Sequence, residues 1–411
     1  MELHPILEKG EWLAKQNIWY VVSAKGQHPS MRVGQCCCHL KGSDTNSLGK
    51  LAVIGGANPS GPFDETHLLD FDEYEWDEPE MTGFLGRYEH ASFIPSSRQD
   101  QITIFGGAER DKNLNCVQTL DLGAKTWSTV PTSGTPPSPR TCRGSVAEGN
   151  KLYVFAGGLQ GPEPVGDTQI HVYDAETREW SQLPATGKVP PARHGHVMAL
   201  CEGKIYVHGG MAGSTIYSDM HEYSLDTGTW KLIKCKGDIP SGRAAHGCVF
   251  HGNKILIFGG MTQEGASDEC FVFDTRKSRW TKFSPSGPPP APRLDHAMCL
   301  VTLPCPRETP QLSSSRSSQN GAAQSQAPSG AVPAGDPESS AETFLSSCVE
   351  AVAEQMGSAP EMSGEGAVGG AGAAAVATDS DATLCCLVQG GMDTHGEIFD
   401  DTLLLRLDNI F

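Results

Sequence analysis

A chain of 411 residues with a net charge of −18 is repelled by nucleic acid and by anionic membrane surfaces, which excludes either as its main partner. Its 14 cysteines are scattered through apolar runs (Cys201, Cys248, Cys270, Cys299), and no apolar signal segment follows Met1, so a reducing, cytosolic setting with buried thiols is expected. No apolar run reaches the roughly eighteen residues needed to span a bilayer. Cys36-Cys37-Cys38 and Cys385-Cys386 lack the spacing of a zinc site, so no metal is expected.

The first strand signal is Trp19-Tyr20-Val21-Val22, with Arg32 thirteen residues after the tryptophan. From there the chain repeats. Short runs of β-formers end in glycine doublets at Gly55-Gly56, Gly106-Gly107, Gly157-Gly158, Gly209-Gly210 and Gly259-Gly260, spaced by 51, 51, 52 and 50 residues. A sixth doublet, Gly390-Gly391, follows only after 131 residues. A tryptophan comes twenty residues after the second glycine (Trp76, Trp127, Trp230, Trp280) or twenty-two after it (Trp180), and most of these have an aspartate six residues earlier. An arginine stands eleven or thirteen residues beyond each tryptophan, at Arg87, Arg140, Arg193, Arg243 and Arg293. A histidine follows three later at His90, His196, His246 and His296, while Gln35 and Arg143 hold that place in the first and third units. A period near fifty residues is the mark of propeller blades.

The order of landmarks in each unit, an apolar strand, a Gly-Gly strand, a strand ending in Asp and a Trp strand, resembles the kelch repeat. The resemblance implies an all-β, six-bladed kelch β-propeller with four antiparallel strands per blade. Its ends complement each other. Trp19 to Val22 has no Gly-Gly strand before it, and the strand Leu403–Asp408 after Gly390-Gly391 has no tryptophan behind it. The last blade is therefore expected to borrow its outermost strand from the N-terminal part, which removes two free sheet edges. The expected organisation is an N-terminal segment 1–18, a propeller over 19–303 and 383–411, and an insertion at 304–382 within blade six. Removing that insertion leaves 332 residues, about 55 per blade.

Residues 304–382 are rich in Ser, Ala, Gly and Pro and hold ten acidic residues, two arginines and no lysine. Such composition predicts disorder. Within it, Leu345, Val349, Val352 and Met356 recur at helical spacing, so 341–357 reads as a transient helix or a helix that docks on a partner.

No GxxxxGK[ST] phosphate loop, GxSxG elbow or HExxH pair is present, so neither an enzyme nor a cofactor is expected. The recurrent polar constellation is a ring: Arg32, Arg87, Arg140, Arg193, Arg243 and Arg293 each precede an innermost strand, and His90, His196, His246 and His296 flank them. Either each arginine satisfies carbonyls or a carboxylate in its own blade, or together they form a rim of guanidinium groups that grips acidic side chains. The rim is the candidate partner-binding site, in line with kelch adaptors that use arginines at this motif position for acidic peptides.

Gly55-Gly-Ala-Asn58-Pro59, Arg87-Tyr-Glu-His-Ala-Ser-Phe-Ile-Pro95, Arg293-Leu-Asp-His-Ala-Met-Cys299 and Gly391-Met-Asp-Thr-His-Gly-Glu-Ile398 are also similar to the Rab-effector branch of kelch proteins. That likeness implies a monomeric, cytoplasmic scaffold recruited to endosomes by a GTP-bound Rab GTPase (Rab nine) and a part in endosome-to-Golgi transport. The alternatives are an adaptor that recruits acidic substrates, which usually carries a separate assembly domain, and a metal-dependent oxidase.

Overall fold

The computed structural model describes residues 4–9, 15–42, 47–303, 383–407 and 410–411. The predicted insertion at 304–382, with its helical stretch, lies outside them. Six antiparallel sheets follow one another around an axis. Blade four shows the pattern. Val197–Cys201 is innermost, Lys204–His208 carries the glycine doublet at its end, Met220–Ser224 comes third and Thr229–Leu232 holds Trp230 at the outer edge. Among the described residues no helix is long and apolar enough to cross a membrane.

Continuous apolar runs make the inner strands. In the second strand of each blade nearly every side chain is buried, as in Lys254–Phe258, because both sheet faces meet a neighbouring blade. The core therefore lies between blades. One cluster joins Phe155 and Val172 of blade three to Ile205, Tyr223 and Trp230 of blade four. Each tryptophan acts as the wedge: Trp180 packs on Phe105, Trp230 on Phe155 and Trp280 on His208, ring centroids 4.6–5.2 Å apart, each time on the blade before.

The ring closes as the complementary ends require. Trp19–Val22 pairs antiparallel with Thr402–Arg406, Trp19 opposite Leu405 and Val21 opposite Leu403. Trp19 is 1% exposed and sits 5.3 Å from Phe258 of blade five, the tryptophan position of blade six. Part of the segment 1–18 also joins this sheet. Ile6–Leu7 adds a parallel strand outside Trp19–Val22, and the Tyr74 hydroxyl of blade one donates to the Leu7 carbonyl. Elsewhere the linker between blades does a similar job. Ser133–Gly134, Thr186–Gly187 and Lys236–Gly237 each add in parallel to the outer strand of the blade that follows. Each edge strand is thereby covered by its neighbour's exit chain.

The second strand of each blade leads into a loop on the same end of the disc as the arginine-bearing linkers. Four of these loops are short hairpins, such as Met211–Ala212 with Thr215–Ile216. At the opposite end, Leu303 and Thr383 face each other as the last pair of the blade-six ladder. A short turn suffices to join two residues so placed. Replacing 304–382 by a four-residue Gly/Ser linker is thus expected to leave the melting temperature within a few degrees. A loss of cooperative melting would contradict this.

Candidate partner-binding site at the channel mouth

The glycine doublets and the arginines form one interlocked ring. Both glycines of a doublet have positive φ, for instance Gly55 (56°) and Gly56 (92°). A Cβ on Gly56 would lie 2.9 Å from the Gln35 Cβ and 3.0 Å from the Val33 carbonyl oxygen, closer than side chains approach. In blade three the positive-φ pair is Ala156 (48°) and Gly157 (115°), one residue earlier than the Gly157-Gly158 doublet suggests. Each guanidinium donates through one terminal nitrogen to the carbonyl of the first member of its own blade's pair: Arg32 to Gly55, Arg87 to Gly106, Arg140 to Ala156, Arg193 to Gly209, Arg243 to Gly259 and Arg293 to Gly390, at 2.9–3.1 Å. Each arginine's own carbonyl accepts from the second member of the preceding blade's pair, as Gly210 N–H to Arg243 (2.8 Å) and, across the closure, Gly391 N–H to Arg32 (3.0 Å). One residue type thus ties every blade to the one before it.

Nε of each arginine donates to the carbonyl two residues earlier, and in five of the six the terminal nitrogens also meet an acid that returns on the loop after the doublet. Arg193 is bidentate to Asp219 (2.6 and 3.0 Å) and Arg293 to Asp401 (2.6 and 2.9 Å). Arg32, Arg140 and Arg243 pair with Glu65, Asp167 and Glu269. In blade two the neutral Gln118 accepts from Arg87 at 2.7 Å instead. Phe63, Tyr217 and Phe399 cover the guanidinium faces of Arg32, Arg193 and Arg293 at 4.1–4.4 Å. All six arginines are 0–1% exposed. They do not form an open guanidinium rim, because the loop that follows each doublet folds back over them and supplies their acid. That acid stands nine or ten residues after the second glycine in five units, a sequence signal that points to it.

His90, His196, His246 and His296 are likewise 0–1% exposed and do not flank a rim. Each wedges between blades. His196 meets Phe155 and His296 meets Phe258 edge-on, and His246 Nε2 lies 3.1 Å from His208 Nδ1. In blade one Gln35 takes this place, and its amide N–H donates to the Gln389 side chain at 2.7 Å. Burial holds these imidazoles neutral: it pushes His90, His196 and His208 down to about 3, and His246 and His296 well below the usual range.

A pH prediction follows from those burial shifts. A base with a lowered folded pKa binds its proton only after unfolding, so its stabilising contribution is complete above about pH 6.5 and falls steadily as pH drops toward 3. Each buried imidazole then costs about 1.4 kcal/mol per pH unit over that range. The carboxylates act later. His67 and Arg32, against the opposing effect of burial, hold Glu65 down at about 2, so its contribution survives until pH falls below the usual carboxylate range. The melting temperature is expected to be flat between pH 7 and about pH 8, to fall progressively below pH 6.5, and to fall again as pH rises through the ordinary thiol range of about 8.5, because burial pushes Cys36 and Cys142 up to about 12. The variant His196→Gln, which copies the choice made at Gln35, should flatten that acid limb by one proton. A melting temperature unchanged between pH 7 and pH 5 would contradict the shifts.

Within the arginine ring lies a narrower backbone collar. Gly34 N–H donates to Asp295 O, Glu89 to Gly34, Cys142 to Glu89, Ala245 to Gly195 and Asp295 to Ala245, at 2.6–3.0 Å. These residues stand two after each motif arginine. Blade three interrupts the pattern. Arg143, where four other units have histidine, leaves the blade interface and crosses the axis to Asp295 of the opposite blade (3.3 Å) and to the His296 carbonyl. Burial, with the Glu89 charge close by, pushes Asp295 up to about 6 against the pull of Arg143. Below this strut is a cavity of ≈ 180 Å³ whose wall includes Gln35, Cys36, Cys37, Glu89, Cys248 and Met298. The strut and the cavity escape sequence reading, because they join residues that share no local pattern, whereas the collar follows the repeat.

Among the described residues, one group brings three metal-ligand atoms within 4.8 Å: Glu65, His67 and Glu78. The Arg32 guanidinium already sits there, bonded to Glu65 and 3.4 Å from His67 Nε2, in the place a metal cation would take. All twelve described cysteines are free.

Comparison with known proteins agrees with this architecture. The family profile described as the KLHDC2/KLHL20/DRC7 Kelch-repeats domain matches residues 44–260, and the Kelch motif profile matches residues 242–287. A protein of Rattus norvegicus called "Rab9 effector protein with kelch motifs" is 42% identical over 411 residues, covering 99% of this chain and 100% of its own length. The chain belongs to the kelch-repeat family. Proteins of the same name from Xenopus laevis and Homo sapiens are 49% and 44% identical over 51% and 54% of the chain. Those two alignments span 58% and 59% of the relatives' own length. In kelch terms the doublet, the arginine and the tryptophan of each repeat all serve contacts between blades, so the motif is a device for closing a ring.

Proposed function

We propose that this chain is a non-enzymatic protein-binding scaffold that acts as an effector of a GTP-bound Rab GTPase, Rab9 or a near relative, in transport from endosomes to the trans-Golgi network. The observation that carries this is the 42% identity over 99% of the chain with a relative whose name states a Rab9 effector role. The physics of the fold supports it. The ring of paired arginines makes the propeller stiff, and its hairpins offer short, well-anchored contact loops. GTPase switch segments are ordered by the γ-phosphate and released on hydrolysis. A stiff surface distinguishes the two states only through contacts that one of them provides.

In this reading the cytoplasmic protein reaches endosomes through its Rab partner. The arginines Arg32, Arg87, Arg140, Arg193, Arg243 and Arg293 hold the contact loops in place and touch no partner themselves. Calorimetry with Rab9 in each nucleotide state tests the proposal. Affinity for the GTP-analogue form is expected to exceed that for the GDP form at least tenfold, about 1.4 kcal/mol. Equal affinity for both forms, or none for either, would overturn it.

A further inference from the structure

The outer strands form the rim of the disc, and their charge is unevenly distributed. In blade one the stretch 71–80 has six exposed acids and no basic residue. Blades four and five, across the ring, reverse this: 229–237 and 275–284 hold seven exposed basic residues and no acid, although the exposed Asp238 follows directly and accepts from the Lys282 backbone N–H. These two stretches are far apart in sequence. They meet because Lys236–Gly237 adds in parallel to the outer strand of blade five, setting Lys236 beside Arg279.

Four of the seven are already paired: Lys231 with Glu222 (3.8 Å), Arg276 with Glu202, Lys277 with Asp274 (3.5 Å) and Lys282 with Glu269 (2.7 Å). Among the described residues Lys234, Lys236 and Arg279 have no carboxylate within 4.0 Å. Leu232 ends the outer strand of blade four and Ile239 stands in the linker beyond it, 37% and 51% exposed.

We infer that this rim of blades four and five is a docking surface for an anionic lipid bilayer. Two of the three unpaired cations are lysines, compact point charges suited to a diffuse layer of headgroups, where a specific carboxylate would favour the arginine fork. Exposed aliphatic side chains between the cations suit the headgroup boundary. The net charge of −18 opposes non-specific contact, so the surface must act through its local charge. The acidic rim of blade one is on the other side of the ring, beyond the screening length of about 8 Å at physiological salt. This surface goes beyond the effector reading and does not depend on it, since it needs no Rab.

Co-sedimentation of the full chain with phosphatidylcholine vesicles, with and without phosphatidylserine, tests it. Capture is expected only by the phosphatidylserine vesicles and should weaken as salt rises. The variant Lys234→Glu/Lys236→Glu/Arg279→Glu changes exposed positions only, so its melting curve should match that of the parent. Its partition to anionic vesicles should fall on the order of a hundredfold. A charge change on the opposite rim, Asp77→Lys/Glu78→Lys, should not reduce capture. Absence of capture by the parent chain, or equal capture of the triple variant, would overturn the inference. So would capture that appears only after 304–382 is replaced by a linker, because the rim would then belong to the chain's own acidic segment.

Discussion

Deletion of residues 1–24 is expected to abolish the cooperative unfolding transition and send the truncated chain into the insoluble fraction. The deletion removes the outer strand of blade six, Trp19–Val22, together with the strand Ile6–Leu7 that covers it. Trp19, Tyr20, Val22 and Leu7 are 1–8% exposed. At ~25 cal/mol per Å², and 150–250 Å² for a tryptophan, Trp19 alone contributes about 4–6 kcal/mol of burial. That is comparable with the whole stability of an ordinary domain, about 5–15 kcal/mol. The loss also bares the edge of Thr402–Arg406, a fully buried apolar strand ready to pair with another chain. A soluble truncation with an unchanged melting curve would show that closure does not need this strand.

The second large effect is expected from the arginine ring. Arg193→Ala leaves the Gly209 carbonyl without its guanidinium donor and the Asp219 carboxylate with only the His221 ring nitrogen, 2.9 Å away. Breaking a buried pair in this way costs about 3–5 kcal/mol, and the lower figure applies because Asp219 keeps 27% of its side chain exposed. Adding Asp219→Ala should recover part of the loss. Arg87→Ala should cost less, about 1–3 kcal/mol, since its partner Gln118 is neutral. Denaturation midpoints of the three proteins check the order. If Arg193→Ala instead left stability intact and lowered the affinity of the folded protein for a partner, the arginine would be a contact residue after all.

Much of this architecture can be read from the chain because repeats expose their own rules. The interval from Trp19 to Arg32 matches the thirteen residues of later units, and that match places a strand from the beginning of the chain in the last blade. The register of blade three is misread by one residue, because Ala156 tolerates the positive φ that glycine holds elsewhere and Gly158 supplies a false doublet. The burial of the arginines is one of the two readings that the spacing leaves open. Spacing locates Arg193 at one end of the disc, but whether it meets solvent depends on where the loop carrying Tyr217 and Asp219 returns. The crossing of Arg143 to Asp295 follows from no periodic feature, since it depends on a departure from the repeat.

Closure also sets the order in which the molecule can be completed. Trp19 and its partner Leu405 are separated by 386 residues. At the usual synthesis rate of about 5–20 residues per second, the first strand leaves the ribosome roughly 20–80 s before the strand it pairs with. Blades one to five can each collapse on the blade before as they emerge. The ring itself stays open, with an apolar strand waiting at one end, until Thr402–Arg406 has emerged. A contact this distant in sequence is therefore also late in time, and the waiting strand is where a nascent chain of this kind is most exposed to capture by another molecule.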